Sequence, residues 1–175
     1  TAQIVQYAEK KVELKSEADV RSIIEEIKNS ECIVSDIKVS EKTLKPKPPF
    51  TTSKLQQAAA NKLGFTSRKT MQIAQQLYEG VNIGANRIGL ITYMRTDSVR
   101  ISQTALDDVR SWISEKFPKD LPEQAIEYSV GKKAQDAHEA IRPTYASYTP
   151  DFVKDFLNRD QLRLYSIIWE RFVSS

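Results

Sequence analysis

The sequence predicts a mixed α/β chain, mainly helical, in two parts. Three observations carry that prediction. Apolar residues recur at helical spacing in several stretches, each opened by a capping residue. Shorter runs alternate with period two. Between the two kinds of pattern lies Lys45-Pro46-Lys47-Pro48-Pro49. Prolines this dense exclude helix and central strand and stiffen the chain into an extended link. The boundary falls there, giving parts 1–47 and 48–175.

The first part reads as β–α–β. Val5–Ala8 and Lys11–Leu14 alternate and predict one strand or two short ones. Ser16 with Asp19 resembles a capping box, and Val20, Ile23, Ile24 and Ile27 follow as one helical face. Asn29-Ser30 ends that helix. Cys32–Val34 and Ile37–Val39 return to period two and predict a strand.

The second part reads as short helices around a small hairpin, a winged-helix-like outline. Ser53 with Gln56 is the expected cap of a helix ended by Gly64. Ser67 starts a second, ended near Gly80. Ser102 caps a third, ended by Pro118. Thr149-Pro150 opens a last helical region running to Phe172. Gly89–Met94 predicts a strand between the second and third helices.

Composition removes several function classes. One Cys and one His among 175 residues cannot make a structural zinc site, and Cys32 has no partner for a disulfide. A single Cys fits a reducing compartment. No apolar run approaches the length of a membrane span. The net charge is only +3, but it is unevenly placed. Residues 42–96 hold nine basic residues and one acid, Glu79, whereas the flanking stretches are both net acidic. Such a block suggests a polyanion partner, and a solvated basic face accounts for it equally well.

Three clusters carry possible chemistry. In Gly89–Ser98, GLITYMRTDS, strand alternation places Tyr93 and Arg95 on one face. A free phenol, with a pKa near ~10, is a poor nucleophile at neutral pH. A neighbouring cation favours the phenolate, and the same guanidinium can grip a phosphate by two prongs. Thr96-Asp97-Ser98 can bond free backbone amides. Asp136–Thr144, DAHEAIRPT, contains the single histidine. On a helix His138 and Arg142 share a face, with Pro143 at its end. In Pro48–Gln57, PPFTTSKLQQ, hydroxyls at a helix start followed by Lys54 make a usable phosphate site, and simple capping explains the same residues.

Taken together, and in this order, the three segments resemble the type IA DNA topoisomerases. Met94 between the tyrosine and the arginine favours the bacterial topoisomerase I branch over branch III. LYSIIWERFVSS, Leu164–Ser175, is similar to the helix that leads out of the same domain. The resemblance covers nearly the whole chain. It implies that 1–47 is the first half of a β-rich arch domain and 48–175 the domain bearing the tyrosine. It implies that Tyr93 is the nucleophile, joining a 5′-phosphate of single-stranded DNA. Arg95 would hold the scissile phosphate, with His138 beside it. Arg142, Thr96, Ser98, Lys54, Arg68 and Lys69 are the residues expected to contact DNA. Mg2+ would be bound by an acidic toprim domain of the same protein. This chain has no Asp-x-Asp run, so it is expected to bind no metal and to be inactive alone. The remaining partners would be the toprim and gate domains, with no membrane, in the cytoplasm at the bacterial nucleoid. The alternative is a non-catalytic module for single-stranded nucleic acid. A tyrosine recombinase is excluded, because there the His and Arg elements precede the tyrosine.

Overall fold

The computed structural model describes all residues except 1–3, 5, 8, 9, 13–15, 32, 42–44, 127 and 129–137. It separates into two compact units, 1–43 and 44–175.

In 1–43, strand β1 (Gln6–Tyr7) pairs antiparallel with β2 (Lys10–Lys11). Val5, Ala8, Glu13 and Leu14 of the expected strands lie outside the described residues. Helix α1 (Glu17–Lys28) forms where its signals place it, and the Ser16–Asp19 capping box is present. It buries no residue, however, and Ile24 and Ile27 stay largely exposed. The strand expected over 32–39 does not form among its described residues. Ile33, Val34, Ile37 and Val39 are each more than three-quarters exposed. Alternation supplies a strand with a face, but not with the hydrogen-bonding neighbour that a ladder requires.

In 44–175, three helices pack on one another: α2 (Thr52–Leu63), α3 (Ser67–Glu79) and α6 (Arg159–Val173). The core between them holds Leu55 and Ala59, then Ile73, Ala74 and Leu77, then Leu164, Tyr165 and Ile168. Full burial of one such aliphatic side chain contributes about 1.5–3 kcal/mol. The Tyr165 hydroxyl donates to the Tyr148 carbonyl at 2.6 Å, and burial pushes its pKa well up. A smaller cluster, Ala105, Val109, Ala146 and Phe172, anchors α4 (Gln103–Lys116). The last helical region is broken. A short α5 (Pro150–Val153) and a 3-10 turn (Lys154–Phe156) precede Asn158, which caps α6 through its own capping box with Gln161.

Two sequence readings shift slightly. Thr51, not Ser53, caps α2: its Oγ1 accepts the Lys54 N–H at 3.4 Å, and the helix begins at Thr52. Gly64 closes α2 at φ 70°, a conformation that costs glycine little. The hairpin lies earlier than Gly89–Met94. Strands β3 (Val81–Ile83) and β4 (Asn86–Ile88) pair antiparallel, with Gly84 at φ 60° in the turn.

Candidate active site

Gly89–Ser98 is not a regular strand. It is an extended segment with a single bridge, Ile91 to Pro143. The reason is visible in its partners. Its hydrogen bonds are shared among the end of α3, the start of α2 and segment 138–144, rather than going to one continuous neighbour. Thr92 donates its N–H to the Arg142 carbonyl at 3.0 Å, and Thr144 donates to Leu90 at 2.9 Å. From the start of α2, Thr52 donates its N–H to Thr96 at 2.9 Å.

Two threonine hydroxyls complete the frame. Thr52 Oγ1 donates to the Met94 carbonyl at 2.7 Å and accepts the Thr96 N–H at 2.8 Å. Thr92 Oγ1 donates to the Ala140 carbonyl at 2.7 Å and accepts the Arg142 N–H at 3.0 Å. Ile141 donates to Phe50 at 2.8 Å, which closes the set. The three sequence clusters are therefore one structure, in which 48–53, 89–98 and 138–144 are each hydrogen-bonded to the other two. The helix expected through His138–Arg142 does not form: the N–H groups of Ala140, Ile141 and Arg142 donate to the Arg100 carbonyl, the Phe50 carbonyl and Thr92 Oγ1. Asp136 and Ala137 lie outside the described residues.

The expected alternation holds without a ladder from Tyr93 onward, whereas Ile91, expected on the same face, is buried. Tyr93, Arg95 and Asp97 are exposed, and Met94, Thr96 and Ser98 are buried. The phenol of Tyr93 thus stands 40% exposed on a backbone held by 48–53 and 138–144. Its ring meets Tyr78 edge-on at 5.4 Å and stacks on His138 at 6.1 Å with a 30° tilt. Gly89 holds this segment against the end of α3. A Cβ there would lie 2.7 Å from the Tyr78 carbonyl oxygen, a backbone atom that cannot yield cheaply.

A cleft of about 420 Å³ is lined by Thr52, Ser53, Gln56, Arg95, Thr96, Asp97 and His138, the last of which stacks on Tyr93. Arg95 has no hydrogen-bond or ion-pair partner among the described residues, so its guanidinium is free to meet an anion. Asp97 is the one carboxylate in the lining.

The other expected contacts are placed differently. Thr96 and Ser98 turn inward. Thr96 Oγ1 accepts the Ser98 N–H at 3.0 Å, and Ser98 Oγ accepts the Arg100 N–H at 3.1 Å, so both shape the loop after the tyrosine. Arg142 is held rather than free. Its guanidinium donates to Glu139 Oε2 at 2.6 and 2.9 Å and to the Pro143 carbonyl at 2.9 Å. Burial works to raise the Glu139 pKa, but the bond from Ser102 and the Arg142 charge outweigh it and hold the carboxyl below its ordinary range. The Ser102 side chain makes no cap bond to α4. Lys69 pairs with Asp160 at 2.6 Å and lies over the Phe65 ring. Lys54 and Arg68 are exposed on the first turns of α2 and α3. Sequence reasoning missed Tyr78, Thr92 and Glu139. Thr92 is a β-branched hydroxyl inside the motif, a legible hint of a backbone cross-link. Tyr78 gives no such sign.

Against known proteins, the DNA topoisomerase family model matches residues 1–175. The chain belongs to the type IA bacterial topoisomerase I family. It is 58% identical over 166 residues to DNA topoisomerase 1 of Treponema pallidum, covering 95% of this chain and 23% of that protein. It is 45% identical to DNA topoisomerase 1 of Campylobacter jejuni, covering 99% of this chain and 25% of that protein. The full-length topoisomerase I structure from Thermotoga maritima superposes with a TM-score of 0.72 at 42% identity, over 95% of this chain and 26% of that one. The chain therefore spans about a quarter of the length of these topoisomerases. No described helix is long and apolar enough to cross a membrane. Among the described residues, no group of His, Cys, Asp or Glu could hold a metal ion.

Proposed function

We propose that this chain supplies the nucleophile of a DNA topoisomerase, with Tyr93 as the attacking residue. The observation that carries the reading is an exposed phenol on a fixed segment, two residues from an unpartnered guanidinium that lines a cleft together with His138, the ring stacked on that phenol. Tyr93 Oη attacks a phosphodiester of a single-stranded segment. The Oη–P bond forms and the P–O3′ bond breaks. The phenolic proton is lost, and the departing 3′ oxygen takes one up. The product is a 5′-phosphotyrosine and a free 3′-hydroxyl, a covalent step that divides the transfer in two. Arg95 holds the non-bridging oxygens and offsets the charge that builds on them. His138, stacked on Tyr93, fixes the ring and shares the cleft. Resealing reverses the step, and because the ester linkage is conserved, no ATP is consumed. Strand passage between cleavage and resealing relaxes negatively supercoiled DNA.

On this reading Mg2+ belongs to a toprim domain outside this chain, and the residues described here do not form a site for it. The helices α2 and α3 followed by the β3–β4 hairpin fit a winged-helix-like module. The test has two arms. Mixed with a toprim-bearing segment of the same enzyme, the chain should trap labelled oligonucleotide, and Tyr93→Phe should bring the trapped product to background. The purified chain with Mg2+ should relax no DNA. Relaxation by the chain alone, or trapping that persists in Tyr93→Phe, refutes the reading.

A further inference from the structure

The basic block of the sequence does not gather around Tyr93. It divides along α2. Arg95 lines the cleft at the N-terminal end of that helix. Lys45, Lys47 and Lys62 line a different cleft, of about 380 Å³, toward its C-terminal end. Thr52 and Lys62 are ten residues apart on one helix, which at 1.5 Å per residue is about 15 Å.

The second cleft has features of a site. Arg171 of α6 completes its lining, together with Phe50, Ile167, Glu170 and Ser174. Four cations therefore converge on it, against the single carboxylate of Glu170. None of the four is in an ion pair among the described residues, although the chain pairs Lys69, Lys116 and Lys154 elsewhere. Like charges gathered without counter-charge repel, and an anionic ligand removes that cost. Arg171 is also preset. Its guanidinium lies 4.4 Å over the Phe50 ring and donates to the Pro48 carbonyl at 3.3 Å. Flexible lysines around one fixed guanidinium suit an extended ligand carrying several phosphates better than a single small anion.

We propose that this cleft is a second phosphate site, taking backbone phosphates of the same nucleic-acid strand whose cleavage site lies at Tyr93. The proposal rests on the reading of Tyr93 for the nature of the ligand. Phe50 and Thr52 tie the two clefts together: Phe50 lines one, Thr52 lines the other, and the chain between them is bonded to segments 89–98 and 138–144. A strand held at the second cleft is thereby coupled, through Phe50 and Thr52, to the segment that carries the tyrosine.

The test is equilibrium binding of labelled single-stranded oligonucleotides to the whole chain. The probes are about 4 and about 12 nucleotides long, measured across a range of salt. The variant is Lys45→Ala/Lys47→Ala/Lys62→Ala, which alters only exposed or partly exposed side chains, and its melting curve checks the fold. Each lost phosphate contact lowers the slope of log affinity against log salt by about 0.7 on single strands. For the longer probe the slope should flatten by about 2, and affinity should fall about tenfold near 0.15 M salt. The shorter probe should bind both proteins alike. An unchanged slope with the longer probe overturns the proposal, and so does equal loss with both probes. Inorganic phosphate is the control for a free-anion site. If it saturates the cleft at micromolar concentration and the longer probe gains nothing over it, the nucleic-acid assignment is overturned. The two readings fail separately. If only the second cleft is wrong, Tyr93 still traps oligonucleotide while the triple variant keeps its salt slope. If only the Tyr93 chemistry is wrong, no adduct forms and the slope still flattens.

Discussion

Helices α1 and α6 begin in the same way and end in different environments. Each opens on a capping box, Ser16 with Asp19 and Asn158 with Gln161, and each carries one apolar face. Helix α6 buries Leu164, Tyr165, Ile167, Ile168 and Phe172; α1 buries nothing. Capping is settled by neighbours in sequence, so it forms wherever the residues allow. Burial is settled by what lies opposite, and among the described residues of 1–43 nothing buries the face of α1. The contrast separates a signal that a segment can satisfy alone from one that needs a partner. The Tyr93 segment belongs wholly to the second kind, since its shape is imposed by 48–53 and 138–144.

The largest effect should come from the α6 side of this comparison. Leu164 is fully buried between three helices. Leu164→Ala should cost about 2–5 kcal/mol, through lost transfer energy and the cavity left behind. Denaturant unfolding would show this as a lower midpoint. A loss below about 1 kcal/mol would mean that the α2–α3–α6 core yields easily, and the contrast with α1 would weaken.

A smaller but more local effect should follow at the Tyr93 frame. Thr52→Val keeps the shape of the side chain and removes one hydroxyl that serves both Met94 and Thr96. The Thr96 N–H loses this acceptor, at a cost of about 1–3 kcal/mol. Because the loss falls on the segment carrying Tyr93 and Arg95, oligonucleotide trapping should decline by more than the unfolding midpoint suggests. Trapping that stays normal would show that segment 138–144 alone fixes the tyrosine.

These contacts also show what was legible in the sequence. The cap of α1, the start of α3 at Ser67, the Gly64 stop and the shared side of Tyr93 and Arg95 follow from residues within a few positions of one another. The shape of 138–144 does not. His138 and Arg142 have helical spacing, yet Thr92, far away in sequence, takes up the Ala140 carbonyl and the Arg142 N–H through its own hydroxyl. The strand expected over 32–39 failed for the converse reason: the alternation is present but the pairing edge is not. The candidate site was readable as three separate clusters. That the clusters are one structure is a long-range fact that no local pattern encodes. The basic block misled in the same way, since its even run in sequence is divided along α2 in space.

Acid should reveal the role of Glu139 in that frame. Its carboxyl is held below the ordinary value near 4.5, which burial opposes and which Ser102 and Arg142 bring about. A depressed carboxylate adds stability that is fully present above its unfolded-state value and is lost as pH falls through its folded-state value. Glu139→Gln should therefore lower the melting temperature at pH 7, and the gap to the parent chain should close as pH drops below about 4. A gap that stays constant with pH would mean that the carboxylate acts through packing alone.

The smallest effect should come from α1. Ile27 is 45% exposed, so replacing it removes little apolar surface from contact. Isoleucine and serine also rank close together in helix propensity. Ile27→Ser should then change the unfolding free energy by no more than about 0.5 kcal/mol. Ser16→Ala, by contrast, removes the acceptor for the Asp19 N–H and should lower α1 helicity, at about 0.5–2 kcal/mol of helix stability. For α1 the cap would thus matter more than the apolar face, the reverse of the order expected for α6. If Ile27→Ser proved the costlier of the two, the apolar face of α1 would have a partner in solution, and the difference between the two helices would be one of occupancy rather than of design.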